Sequence, residues 1–151
     1  MKRAMPDIVV CAVDDQIDGT RLFMSRWCFE HRVPGVFLGV TPDADGGYVF
    51  VQEPDVSCWE CVMKSLSGAP TGSRAKRCPE TPASVDILKT LSGIALYAID
   101  TVLMARPRDW NYWTVSLSRS AYGGAVLAPR RPGCEICGDP DFLNPRGGPT
   151  P

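Results

Sequence analysis

The sequence predicts an α/β fold built on a mixed sheet, and three observations carry that expectation. Ile8-Val9-Val10-Cys11-Ala12-Val13 is a continuous apolar run that stops at Asp14-Asp15, the pattern of a strand buried on both faces of a parallel sheet. A segment with helical spacing, Arg21 to Arg32, separates it from a second apolar run, Val36-Phe37-Leu38-Gly39-Val40. Strand, helix, strand is the order of a right-handed βαβ crossover. The cluster Asp43-Ala44-Asp45-Gly46-Gly47 then turns the chain into Tyr48-Val49-Phe50-Val51-Gln52. Strands on either side of such a turn pair as a hairpin, which adds antiparallel pairing to the sheet.

Each element has a local reason. Leu22, Phe23, Trp27 and Cys28 give the first helix its spacing of bulky groups, and Val33-Pro34-Gly35 breaks it. Ser65 to Arg77 is rich in Gly, Ser and basic residues and reads as a loop. Thr81 is placed to cap a long helix with Pro82 at its first position. Val85, Leu88, Leu91, Ala95, Leu96, Ile99, Val102 and Leu103 trace a broad apolar face that packs into a core, and Arg106-Pro107 ends it. Trp110 to Leu117 alternates as a strand, and Gly123-Gly124 forms a turn. One folded unit is expected over residues 1–138, with a flexible Gly/Pro-rich tail over 139–151.

The chain has 151 residues, with 16 Lys and Arg against 17 Asp and Glu, a formal charge of −1. That balance provides no excess of positive charge to meet phosphates, so neither nucleic acid nor a membrane surface is an expected partner. Met1 to Asp7 contains basic residues, but the apolar run behind it is shorter than the roughly 7–15 residues of a secretory core. The longest apolar stretch, Val85 to Ala105, is interrupted by Asp86, Lys89 and Asp100 and is a poor membrane span. The expected location is the cytoplasm, where thiols stay reduced.

Seven cysteines and a single histidine, His31, therefore direct any site chemistry toward sulfur and carboxylate. Cys58 and Cys61 form one Cys-x-x-Cys knuckle, and Cys134 and Cys137 a second, with 72 residues between them (positions 62 to 133). Each knuckle offers two sulfurs on a tight turn, and two knuckles complete a tetrahedral thiolate shell for a structural zinc ion. An iron–sulfur cluster is the competing occupant, and a redox dithiol the competing use of one knuckle. Such a metal joins distant segments and pins the C-terminal end to the middle of the chain. Cys11 and Cys28 are expected core residues. Cys78 follows Arg74, Lys76 and Arg77 and precedes the long helix, a setting that favours thiolate and makes it a candidate nucleophile against an ordinary loop thiol. Asp14-Asp15 is either a solvated turn at a strand end or a ligand pair at the edge where open α/β sheets bind their ligands.

Taken together, Asp14 with Arg21, Val33-Pro34, and the two knuckles around a lone loop cysteine resemble the ThiF/MoeB/HesA group of ubiquitin-activating-enzyme-like adenylyltransferases. The resemblance covers residues 7 to 138. It implies an incomplete Rossmann-like fold, because the Gly-rich nucleotide-binding half of that family lies upstream of the equivalent of Ile8. It also implies ATP-dependent adenylation of the C-terminus of a ubiquitin-like or sulfur-carrier protein, or of a peptide. In those terms Asp14 is the magnesium and phosphate ligand, Arg21 a cofactor-binding residue and Cys78 the acyl-accepting cysteine. Asp15 stands where the family usually has asparagine. The resemblance further implies an N-terminal-half partner chain or a homodimer. The alternatives are a non-catalytic scaffold that grips a partner protein or peptide leader, and a zinc-stabilised interaction domain without adenylation chemistry.

Overall fold

A computed structural model describes residues 4–13, 19–41, 44–67, 84–118 and 123–138. The element order is β1 (Val9–Cys11), α1 (Thr20–Glu30), β2 (Gly35–Val40), β3 (Gly46–Gln52), α2 (Trp59–Ser67), α3 (Val85–Leu103), β4 (Tyr112–Ser116) and β5 (Ala125–Val126). The five strands form one mixed sheet in the order β1-β2-β3-β4-β5. β1 and β2 are parallel, with Val10 opposite Val36, and the three remaining pairings are antiparallel. The expected hairpin is present, with Phe37 opposite Phe50. Of a Rossmann-like pattern, the described residues show this one parallel pair.

Strand alternation sends side chains to two faces, and each face has its own core. Val36, Val49, Val51 and Val115 meet Ile87, Leu91, Ala95 and Ala98 of α3. Phe37, Phe50 and Tyr112 meet Trp59 and Val62 of α2 on the other face, with Met24 of α1 packed alongside. Phe37 lies 5.6 Å from the Trp59 ring and 5.8 Å from Phe50, centroid to centroid. Burying an aliphatic or aromatic side chain of this size stabilises by about 1.5–3 kcal/mol. These two layers of side chains hold the sheet between α3 and the α1/α2 pair.

Four expectations change. β1 is three residues long and lies at the sheet's edge, so Val10 is 51% exposed instead of buried on both faces. α1 turns Arg21, Met24, Ser25 and Cys28 inward and leaves Leu22 and Phe23 outside, because the polar residues of its inner stripe have buried partners. The segment Ser65–Ser67, read as the start of a loop, completes α2. The long helix begins at Val85, capped by the Ser84 hydroxyl accepting from the Ile87 N–H at 3.3 Å; Thr81 and Pro82 lie outside the described residues. β5, which was not expected, pairs along the edge of β4.

Candidate functional site

Cys58 immediately precedes α2 and Cys61 sits in its first turn, so the first knuckle is a helix N-terminus. Cys134 and Cys137 come from a turn near the C-terminal end, closed by the Gly138 N–H donating to the Cys134 carbonyl at 2.8 Å. The four sulfurs all lie within 4.8 Å of one another, and each residue is at most 2% exposed. Two contacts cross between the knuckles: Cys58 to Cys134 at 3.5 Å and Cys61 to Cys137 at 3.3 Å. Zinc–sulfur bonds of about 2.3 Å place tetrahedral sulfurs roughly 3.8 Å apart. The donor set, its spacing and its enclosure therefore fit a four-thiolate metal ion with no open position.

The electrostatics point the same way. A hydrogen bond with Cys137, reinforced by burial, pushes the Cys58 thiol up. Burial pushes Cys61 up to about 11, whereas hydrogen bonding from Cys58 pulls Cys137 down to about 5. Four close sulfurs thus share little negative charge by themselves, and a divalent cation is what allows all four to be thiolates. Around them, the Arg131 N–H donates to Cys61 Sγ at 3.2 Å, and Cys134 Sγ donates to Glu60 at 3.3 Å. Against burial, which raises it, hydrogen bonds from Lys64 and Cys134 hold the Glu60 carboxyl below its usual value.

Buried amides fasten both arms of this corner, and nothing in the sequence pattern marked them. The Asn111 side chain donates to Ser57 Oγ at 2.8 Å and to the Ala128 carbonyl at 3.0 Å, and accepts from the Ala128 N–H at 2.7 Å. It therefore joins the segments that lead into the two knuckles. Gln52 accepts from the Ser25 hydroxyl at 2.6 Å and donates to the Ser25 carbonyl at 2.7 Å, while the Trp59 N–H donates to Ser25 Oγ at 3.1 Å. Arg130 adds bonds to the carbonyls of Val56 and Pro54 at 2.7 and 2.6 Å.

The second candidate region is the carboxyl end of the parallel pair. Arg21 donates to the Val13 carbonyl, just past β1, and to the Leu38 carbonyl at 3.4 Å. Its guanidinium lies 5.6 Å from the centroids of both Tyr48 and Trp59. Gly39 makes room for this arrangement, since a Cβ there would stand 2.5 Å from the Tyr48 hydroxyl and 2.8 Å from the guanidinium. Arg21 is thus located at the predicted edge, in contact with the residue that precedes Asp14. Asp14 and Cys78 lie outside the described residues, as does the tail 139–151. Cys11 and Cys28 are 3% and 0% exposed and belong to the core. No helix among the described residues is long and apolar enough to cross a membrane.

No protein-family profile and no curated protein sequence matches the chain. Solved structures do. MccB from E. coli superposes with a TM-score of 0.67 at 14% identity, over 92% of this chain and 41% of MccB. MccB in complex with N-formylated MccA gives 0.69 at 14% identity, over 91% and 42%. A heterocyclase in complex with substrate and cofactor gives 0.69 at 18% identity, over 97% of this chain and 22% of the heterocyclase. MccB has also been solved with ATP, again with 42% of its chain matched. The chain thus shares its fold with MccB and with part of the heterocyclase, and spans about two-fifths of MccB.

Proposed function

We propose that the chain is the zinc-stapled portion of a ThiF-type activating domain that adenylates the C-terminus of a peptide or carrier protein, acting with a separate nucleotide-binding half. One observation carries this reading above the others: about nine-tenths of the chain superposes on MccB, which was solved in complex with MccA. The four-cysteine corner supports it, because the same two knuckles carried the resemblance at the sequence level. In this reading Cys58, Cys61, Cys134 and Cys137 hold zinc. Asp14, which follows β1 in the sequence, holds magnesium and the ATP phosphates, and Arg21 ties down the Val13 carbonyl just before it. ATP supplies the adenylyl group when bound, while this chain presents the carboxylate edge and the platform for the acceptor. Cys78 is the residue that would take an acyl group as thioester.

Arg21 favours a second reading. Its Nη2 donates to two carbonyls and its guanidinium lies beside two aromatic rings, so Arg21 has a structural role that needs no phosphate. A scaffold that grips a peptide leader for another enzyme needs no phosphate contact, and the heterocyclase superposes over nearly the whole chain. ATP–pyrophosphate exchange, measured on this chain with a candidate N-terminal-half partner and a peptide or carrier substrate, separates the two. Substrate-dependent exchange that disappears in Asp14→Ala supports the enzyme. Substrate binding with no exchange in the reconstituted pair removes it and leaves the scaffold.

A further inference from the structure

A cavity of about 390 Å³ opens where the C-terminal end of β2, the start of β3 and the end of β4 meet. Its walls include Thr41, Asp45, Tyr48, Tyr112, Thr114 and Ser116, with the backbone of Gly46, Gly47 and Gly123 as floor. The β3–β4 register places these side chains together, since Tyr48 is opposite Thr114 and Phe50 is opposite Tyr112. The two tyrosine rings stack with centroids 6.0 Å apart. Arg21 approaches Tyr48 from the β2 side, over Gly39, whereas the cavity opens on the β4 side.

The lining decides what the cavity can accept. Among the described residues that line it none is Lys, Arg or His, and the Asp45 carboxylate is the ionised group they contribute. The Ser118 hydroxyl donates to Asp45, which orients the carboxylate and leaves its charge uncompensated among the described residues. Thr41 Oγ1 is buried and has no hydrogen-bond partner among the described residues, so a donor entering the cavity would satisfy it. A carboxylate and a lone hydroxyl oxygen beside two tyrosine side chains together make a site for a cation with an apolar stem.

The geometry points to recognition of a basic side chain, that of an arginine or lysine in a peptide partner, by the Asp45–Thr41–Tyr48–Tyr112 cavity. The identity of the partner rests on the peptide reading above, whereas the chemistry of the cavity does not. This charge readout would choose among peptides by sequence.

The test is an amide-resolved NMR titration of the full chain with N-acetyl-arginine amide, N-acetyl-lysine amide and the uncharged isostere N-acetyl-citrulline amide. Arginine or lysine amide should shift the resonances of Gly46, Tyr48, Thr114 and Gly123, and citrulline amide should bind at least fivefold more weakly. Asp45→Asn keeps an acceptor for Ser118 but should abolish the preference for charge, and Thr41→Val should weaken arginine binding several-fold. Equal affinity for arginine and citrulline, shifts mapping elsewhere, no binding at millimolar concentration, or an unchanged preference in Asp45→Asn would each overturn the assignment. Because free amides need no partner chain and no ATP, failure here leaves the pyrophosphate-exchange result untouched. Equally, a lack of exchange does not affect the titration.

Discussion

The cysteine corner and the carboxyl edge of the sheet are built in opposite ways. At the corner, side chains from positions 76 residues apart meet in a closed, dry cluster, and Asn111, Gln52 and Arg130 tie down the backbone of both arms. At the edge, Arg21 and Tyr48 lie beside a cavity that strand pairing builds. Enclosed, multiply bonded groups contribute stability, and open, rigidly backed groups are free to meet a ligand. The difference suits one region to structure and the other to the recognition proposed above.

The largest expected effect breaks that contrast at the corner. Removing the metal with a strong chelator, or substituting Cys134→Ala, should cost several kcal/mol, since structural zinc contributes about 10–16 kcal/mol in small zinc-finger peptides at neutral pH. Thermal unfolding followed by circular dichroism, alongside metal analysis of the purified chain, checks this. A stably folded, metal-free chain that loses nothing on chelation would remove the structural role. Asn111→Ala comes next, at about 2–4 kcal/mol, because it leaves the buried Ala128 N–H without its acceptor; urea unfolding reads it.

Gly47→Ala probes the other face. A Cβ there would stand 2.4 Å from Leu91 Cδ1 and 2.6 Å from the Gly39 carbonyl, so β3 must shift against α3. The expected cost is about 1–3 kcal/mol by urea unfolding, with the metal content unchanged. The smallest effect belongs to Arg32→Ala. Its partner is Asp55 at 3.5 Å, and with side chains 69% and 83% exposed the pair should contribute no more than about 0.5 kcal/mol. A loss above 1 kcal/mol would show that the corner's stabilising network extends further toward the surface than its buried amides indicate.

Legibility followed the same division. A continuous apolar run marked β2, the turn cluster before Tyr48 marked β3, and period-two alternation marked β4, because a strand's burial sets which positions must be apolar. The knuckle cysteines were visible because metal ligation constrains local spacing. α1 was found but its inner face was not, since Ser25 and Arg21 are polar and only distant partners make their burial favourable. α2 was missed beyond its cysteines because nine residues carry too little pattern to separate a short helix from a loop. The burial expected on both faces of β1 failed because no sequence window reveals which strand ends a sheet. The cavity's lining residues come from two strands, the connection before β3 and Gly123, and no single segment announces them.

What the sequence by itself determined is the residue chemistry: a mixed α/β pattern, two cysteine pairs with ligand spacing, and a charge balance without a phosphate-binding excess. Only the tertiary structure decided that the four sulfurs converge, that Arg21 spends its guanidinium on carbonyls and rings, and that Asp45 and two tyrosines share one cavity. The physical reason is range. Periodicity and spacing report interactions within a few residues along the chain, whereas these sites arise from contacts whose sequence separation is set by strand order and helix packing.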